Sequence, residues 1–376
     1  MSVSGGDMRG LAALPKQYGL NTLLSVLIPT AAVMVGGLFA RRFAQEMQTT
    51  ATLLPWLILI VGLHGFVVSL VKISPDFRAR THAEGWIKLL LILASGVAIL
   101  TTVGIVFSML FEARNFFEQY SWRDFFLSAE WSPNFRGDSA LGILPLLWGT
   151  LYISFIALIF AVPIGLFAAI YLSEYADPRL RSIAKPMIEV LAGIPTIVYG
   201  LFALVTVGPF LRDYFAEPMG FGQSASSVMT AGLVMGIMLI PFISSLSDDI
   251  INSVPQAMRD GSYGLGATQS ETIRQVVLPA ALPGIVGAIL LAASRAIGET
   301  MIVVLGAGAI ARVSGNPFEA MTTITTRIVS QLTGDTDFAS PETLVAFALG
   351  LTLFVLTLGL NVVALYIVRT YREQYE

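Results

Sequence analysis

Eight long apolar runs govern what this chain can fold into. They lie at about 19–40, 52–71, 87–111, 147–171, 188–210, 228–246, 284–305 and 344–368. A helix crosses the hydrocarbon core with about 20 apolar residues, and each run is of that order. Lipid offers no hydrogen bonds, so a chain crossing it repeatedly must satisfy its backbone within helices. The expected fold is therefore an all-α polytopic membrane protein with about eight transmembrane helices. Charge supports this: 12% of residues are charged, against about 25% in soluble domains. The first run is followed by Arg41 and Arg42 and lacks a small-residue cleavage site. It reads as a retained span rather than a signal peptide.

Several chemistries are excluded by counting. There is no cysteine, hence no disulfide, thiolate metal site or cysteine nucleophile. His64 and His82 are the only histidines and cannot form an HExxH zinc site; His64, inside the second run, reads as a packed polar residue. None of Lys16, Lys72, Lys88 and Lys185 follows a glycine, so no Walker A loop is present. No GxSxG elbow occurs. A net charge of −3 argues against nucleic acid. What remains is a conduit in the membrane.

Orientation follows from lysine and arginine in the connections. Segments 1–18, 72–86 (with Lys88 at its edge), 173–187, 247–283 and 369–376 carry 13 basic residues, and the alternating set 41–51, 112–140, 211–227 and 306–343 carries 8. Both termini are thus expected in the cytoplasm, with Arg41 and Arg42 opposing that assignment locally. Outside, 112–140 is rich in aromatics (Phe116, Phe117, Tyr120, Trp122, Phe125, Phe126, Trp131). Such rings suit either an interfacial anchor or a partner contact. Residues 318–333 have helical periodicity but are too polar to span, and read as a surface or re-entrant helix near the outer mouth.

One basic residue remains, Arg295, inside the seventh run; Glu189 and Glu299 are the acids inside runs. A charge at mid-bilayer costs about 2.5–3.5 kcal/mol on insertion scales, so it must face protein or water. Arg295 and Glu299 are four residues apart, one helical turn on one face. They read either as a mutually neutralising pair or as the lining of a water-filled path. In the second case Arg295 offers a fixed cationic donor to an anion while Glu299 holds the guanidinium. Glu189, near Pro186 at the start of its run, reads as either path-lining or snorkelling to the interface.

The cytoplasmic loop 247–283 carries its own punctuation. Ser253, Pro255 and Gln256 mark a helix start, and Gly264 and Gly266 mark its end. Thr268 and Glu271 form a capping box that opens a second helix, expected to stop before Pro279. A rigid helix pair on the cytoplasmic face suits insertion into a partner's groove, or simply an ordered connection between spans.

This loop resembles the coupling loop of ABC-importer permeases: Glu-Ala-Ala, three residues, Gly, nine residues, Ile, one residue, Leu-Pro. Here Asp260, Gly261 and Ser262 stand at Glu-Ala-Ala, Gly266 at the glycine, Val276 at the isoleucine, and Leu278 and Pro279 at the end. The spacing is intact, and the shift to Asp-Gly-Ser is typical of the phosphate branch. Flanking segments strengthen the likeness: GILPLLWGTLYISFIAL (142–158), AIYLSEYADPRLR (169–181), KPMIEVLAGIPTIVYG (185–200) and SRAIGETMIV (294–303). Together they are similar to the phosphate-uptake permease subunit of binding-protein-dependent importers, over about 84–370.

The resemblance implies a six-helix permease core plus an N-terminal two-helix extension. Its segments are 1–80 (the extension), 81–143 (first core span and periplasmic segment) and 144–370 (the core, with the coupling loop 247–283). It implies a transport subunit rather than an enzyme, in the bacterial inner membrane. It further implies a sister permease, two ATPase subunits that carry ATP and Mg, and a periplasmic phosphate-binding protein; no cofactor is expected on this chain. The residues matching Arg295 and Glu299 are implicated in that family's anion path. Other oxyanions (phosphonate, tungstate, molybdate, sulfate) suit a guanidinium equally. An ion-coupled secondary transporter, which would show broken helices at the midplane, and a membrane assembly or sensor protein remain as rivals.

Overall fold

The computed structural model describes residues 14–43, 48–74, 77–134, 138–334 and 340–372. Among them eight helices or helix runs are long and apolar enough to cross a membrane: Lys16–Leu38, Leu54–Val71, Ala79–Gln119, Leu144–Tyr175, Thr196–Ala216, Val228–Ser253, Gln269–Ile297 and Pro341–Thr370. The chain is an all-α polytopic protein, as its apolar runs require. Two compact units are present, Met1–Ile105 and Val106–Glu376.

The first unit holds α1 (Pro15–Phe43), α2 (Gln48–Val71) and the start of α3 (Ala79–Gln119). Gly65 lets the first two helices approach: a Cβ there would stand 2.4 Å from the Ser25 carbonyl oxygen. The Thr22 and Ser69 hydroxyls pair at 2.8 Å, and the Tyr18 hydroxyl donates to the carbonyls of Ser74 and Phe77. Small residues and hydroxyls are what hold helices together where apolar burial discriminates little. α3, which continues into the second unit, has 41 residues, about twice the number needed to cross the hydrocarbon.

In the second unit α3 ends in an outer layer with α4 (Trp122–Leu127) and a short antiparallel ribbon pairing Trp131–Ser132 with Ala140–Leu141. Phe116, Phe125 and Trp131 are buried there against Leu141, Leu146, Val345 and Leu349. Much of the aromatic segment is thus this chain's own core, although Trp122 and Phe126 remain exposed. The run of rings could not reveal the ribbon that folds them inward.

The centre of the unit is α5 (Leu144–Ile170) crossed with α9 (Val228–Ser253). Ile153, Ile156, Ala157, Met235, Leu239 and Ile243 form its core. Close approach rests on Gly236, where a Cβ would meet the Ala157 carbonyl oxygen at 2.9 Å. A π-helical turn, Tyr171–Tyr175, prolongs α5.

The fifth span differs from the expected 188–210. Residues Pro178–Ala192 form a separate helix, α6, amphipathic and without a buried residue. The chain breaks at Gly193–Pro195, and α7 (Thr196–Phe202) and α8 (Gly208–Leu211), each followed by a π-helical turn, make the span. Pro195 has no amide hydrogen to donate, so it starts the new helix where the old one cannot continue. After α9 come α10 (Gln256–Gly264), α11 (Gln269–Thr272), α12 (Leu278–Ile297), α13 (Met301–Gly306), α14 (Ile324–Gly334) and α15 (Pro341–Arg372).

Two expectations about loop 247–283 are corrected. Residues 247–253 are helical, the last two turns of α9. The helix opened at Thr268 does not stop before Pro279. It passes through a π-helical turn at Ile273–Val277 directly into α12, with Pro279 in the first turn of α12. Pro279 lacks the N–H of a regular turn, and the π-helical turn just before it is the local irregularity that accommodates the ring.

Candidate functional site: the broken seventh span and the loop 247–283

The seventh apolar run conceals a break. α12 ends at Ile297, Gly298 caps it, and α13 begins at Met301. Arg295 and Glu299 therefore do not share one continuous helix face, which corrects the turn-apart reading. Glu299 is buried, 9% exposed, and turns back onto the new helix: its carboxylate accepts from the Met301 N–H at 3.2 Å. A carboxylate at a helix N-terminus meets unsatisfied amides and the positive end of the dipole. The Glu299 carbonyl accepts the Thr325 hydroxyl at 2.9 Å.

Arg295 lies in the last turn of α12, where a cation complements the carbonyl end of the dipole. Its side chain is exposed, and among the described residues no carboxylate is in ion-pair contact with it. The pair is not mutually neutralised. Instead both residues line one cleft of about 430 Å³, with Phe242, Leu291, Ser294, Gly298 and Asn361. A guanidinium with free donors in a cleft beside spans is chemically a receptor for an oxyanion.

The polar segment 318–333 closes in on the break, where Thr325 meets Glu299. Met321 through Thr326 are all buried, so this is an inserted segment rather than a surface helix. Thr323 exchanges hydroxyl hydrogen bonds with Thr325 and Thr326 at 2.9 and 3.1 Å, and the Ile324 N–H donates to the Thr150 hydroxyl at 3.1 Å. Gly149 makes room, since a Cβ there would stand 2.2 Å from the Thr322 carbonyl oxygen. Arg327, one turn further, donates to the Ala309 carbonyl, and burial pushes its guanidinium below the usual arginine pKa.

In loop 247–283, α10 starts behind Pro255 without a side-chain cap; the Ser253 hydroxyl turns back to the Ile250 carbonyl. Asp260 and Gly261 are exposed, while the Ser262 hydroxyl meets that of Thr272 at 2.8 Å. Gly266 has φ +85°, a left-handed turn that glycine adopts without strain. Beyond it the expected capping box is present in both directions between Thr268 and Glu271. Val276 is half-buried and Leu278 packs on a core of Ala169, Ile251, Val277, Ala281 and Ile285, while Pro279 is exposed. The loop is tied to the end of α5: Arg259 pairs with Glu174, their side chains 12% and 7% exposed, and also donates to the Ile251 carbonyl at 2.8 Å. Gln269 donates to the Glu174 carbonyl at 2.6 Å.

Glu189 lies on α6, outside the fifth span, and is exposed. It shares a small pocket with Lys185 and Asp248. Asp248, 2% exposed, binds Arg181 through both oxygens at 2.9 and 3.0 Å and Lys185 at 2.7 Å. The hydrogen bond to Asp248 raises the Lys185 pKa above its ordinary value. Sequence reasoning missed Asp248 because it assigned residue 248 to a loop. The signal was the spacing of Arg181 and Lys185, which puts two cations on one helix face. It missed Asn361 because only charges were weighed.

Likeness to known proteins extends over much of the chain. Residues 161–373 match the family described as "Binding-protein-dependent transport system inner membrane component". The chain is 37% identical to the phosphate transport system permease protein PstC 1 of Mycobacterium tuberculosis, over 65% of this chain and 81% of that protein. It is 33% identical to the permease protein PstC of Mesorhizobium japonicum over 77% and 88%. Among solved structures, a chain of a bacterial alginate ABC transporter in complex with an alginate-bound periplasmic protein superposes with a TM-score of 0.53. That match has 17% identity and covers 77% of this chain and 96% of that one; at that identity the likeness speaks for the fold alone. Eight apolar spans and the family match converge: the chain belongs to the binding-protein-dependent transport system inner membrane components, the multi-pass permease subunits of ABC transporters.

Proposed function

We propose that this permease forms part of the anion path of an ATP-driven phosphate importer. The observation that carries the reading is the unpaired Arg295 guanidinium in the cleft where the seventh span breaks. Glu299 lines the same cleft, but its carboxylate faces the Met301 amide; it shapes the break and sets the local potential. Glu189 belongs to the cytoplasmic charge cluster around Asp248 rather than to the path. The names of the relatives favour phosphate as cargo.

In this reading a sister permease completes the path and a periplasmic phosphate-binding protein delivers the anion. Two ATPase subunits, which bind ATP and Mg, dock on the loop around Asp260, Gly261 and Ser262. That loop, both termini and α6 face the cytoplasm, as the excess of basic residues on that side favours. ATP-driven movement of the loop reaches the spans because α11 and α12 form one continuous helical run, Gln269–Ile297. Val276, Leu278 and Pro279 lie in its first half, and Gly266 is the joint at its base.

The test is uptake of radiolabelled phosphate by the reconstituted complex, dependent on both ATP and binding protein, with phosphonate, sulfate, molybdate and tungstate as competing cargoes. Phosphate uptake abolished by omitting either ATP or the binding protein is the expected result. Transport of another oxyanion in place of phosphate would leave the permease reading and remove its cargo. Uptake driven by an ion gradient without ATP would overturn the mechanism.

A further inference from the structure

The last span carries a polar group without an evident structural use. α15 contains Thr352, Thr357 and Asn361 within its apolar stretch. The two threonines are satisfied locally, donating to the Ala348 and Leu353 carbonyls of their own helix at 2.8 and 2.9 Å. Asn361 is different. Among the described residues its side chain makes no hydrogen bond, and its amide oxygen is buried without a partner. Buried polar atoms are nearly always paired, and a polar side chain at membrane depth is retained where it faces protein or a water-filled path.

Its position, rather than the buried oxygen alone, carries the reading: the side chain stands in the wall of the cleft with its donor end unpaired among the described residues. Asn361 lines the same cleft as Arg295, as does Ser294, whose hydroxyl is also unpaired among the described residues. The cleft is walled by α12 and α15, with Phe242 of α9, and α12 and α15 pack closely: a Cβ at Gly287 would stand 2.6 Å from the Val368 side chain. We infer that Asn361 is a direct ligand of the transported oxyanion, a neutral partner set beside the cation Arg295. This rests on the proposed anion path.

The chemistry suits transit. A guanidinium only donates, whereas a carboxamide both donates and accepts. Its terminal torsion is soft, so either end can turn into the cleft. A tetrahedral oxyanion with both ionised and protonated oxygens needs donors and an acceptor. The amide meets either need without adding charge. A second cation in place of Asn361 would hold the anion too tightly to release it, and conduction requires binding weak enough to leave.

The experiment uses the complete reconstituted transporter with inorganic phosphate as probe. Phosphate uptake and binding-protein-stimulated ATP hydrolysis are measured together for wild type and Asn361→Leu, which keeps the size and removes the hydrogen bonds. Uptake per ATP reduced at least tenfold, with the complex assembled and ATP hydrolysis within twofold of wild type, is the expected result. A packing role would lower uptake and hydrolysis together, and that outcome, or uptake within twofold of wild type, overturns the inference. Should Asn361→Leu fail to assemble, Asn361→Ala is judged by the same criterion. Failure of the phosphate reading looks different: wild type itself would then carry no phosphate, and the comparison would be repeated on the oxyanion it does carry.

Discussion

Single residues decide whether charge is tolerated in this molecule, and partners decide its role. Asp248 is nearly as deeply buried as the core, and two cations from α6 satisfy it. Replacing it by Asn removes the charge and leaves Arg181 and Lys185 facing a neutral amide. The expected loss is about 1.5–3 kcal/mol, the scale of hydrogen bonds to charged groups, read as a lower melting temperature of the purified protein. The same cluster has a pH signature. The Lys185 pKa is raised in the folded state. Its contribution is therefore fully present below the unfolded value of about 10.4 and lost as pH rises through the higher folded value. Wild type should lose melting temperature more steeply than Lys185→Met above that point, and equally below it. Arg295 shows the converse: a cation in a span, left unpaired and open to a cleft. Its presence was legible, because one arginine inside an apolar run stands out. Its freedom from Glu299 was not, because the helix break that separates them is written in a single glycine, Gly298, and glycine inside a helical pattern is a weak signal.

At the scale of elements, the loop and the spans are mechanically one piece. Arg259 on α10 and Glu174 at the end of α5 form a nearly buried pair, and Gln269 binds the same turn. A double-mutant cycle on Arg259→Met and Glu174→Gln should give a coupling energy within the range of about 0.5–3 kcal/mol found for contacting pairs. Either single change should lower the ATP hydrolysis that binding protein stimulates. Additive singles would show that the pair is a surface contact without mechanical meaning. Element boundaries were legible where apolar composition changes abruptly, as at the start of α9 and, to within a few residues, at both ends of α15; the end of α9 was not, because its last two turns, 247–253, are polar. They were obscured where a break is itself apolar. Gly193-Ile194-Pro195 lies inside a hydrophobic stretch, so α6 and α7 read as one span although only the second is one. The capping box at Thr268 was legible because its two reciprocal hydrogen bonds are encoded three residues apart. The continuation through Pro279 was not, because a π-helical turn leaves no clear mark in sequence.

For the whole molecule, orientation is the property on which every functional statement depends. The absence of native cysteine makes the chain a ready background for single-cysteine labelling. Val313→Cys should react with a membrane-impermeant maleimide added outside intact cells. Ser182→Cys and Ser270→Cys should react only after the membrane is opened. The inverse pattern would reverse the topology and put the loop on the wrong side for an ATPase. The fold as a whole was legible because eight apolar runs admit little but helices in lipid. The cleft was not, since it is assembled from α9, α12 and α15, and no local pattern states which residues of distant helices meet.

The proposed path stands or falls on Arg295. In the reconstituted complex, ATP-dependent phosphate uptake should fall at least tenfold in Arg295→Gln, on the scale of losing a charge-assisted hydrogen bond of about 1.5–3 kcal/mol. Assembly and melting temperature should stay unchanged, since the guanidinium holds no ion pair among the described residues. Wild-type uptake from the Arg295→Gln complex would contradict the account and return Arg295 to a purely structural place at the end of its helix.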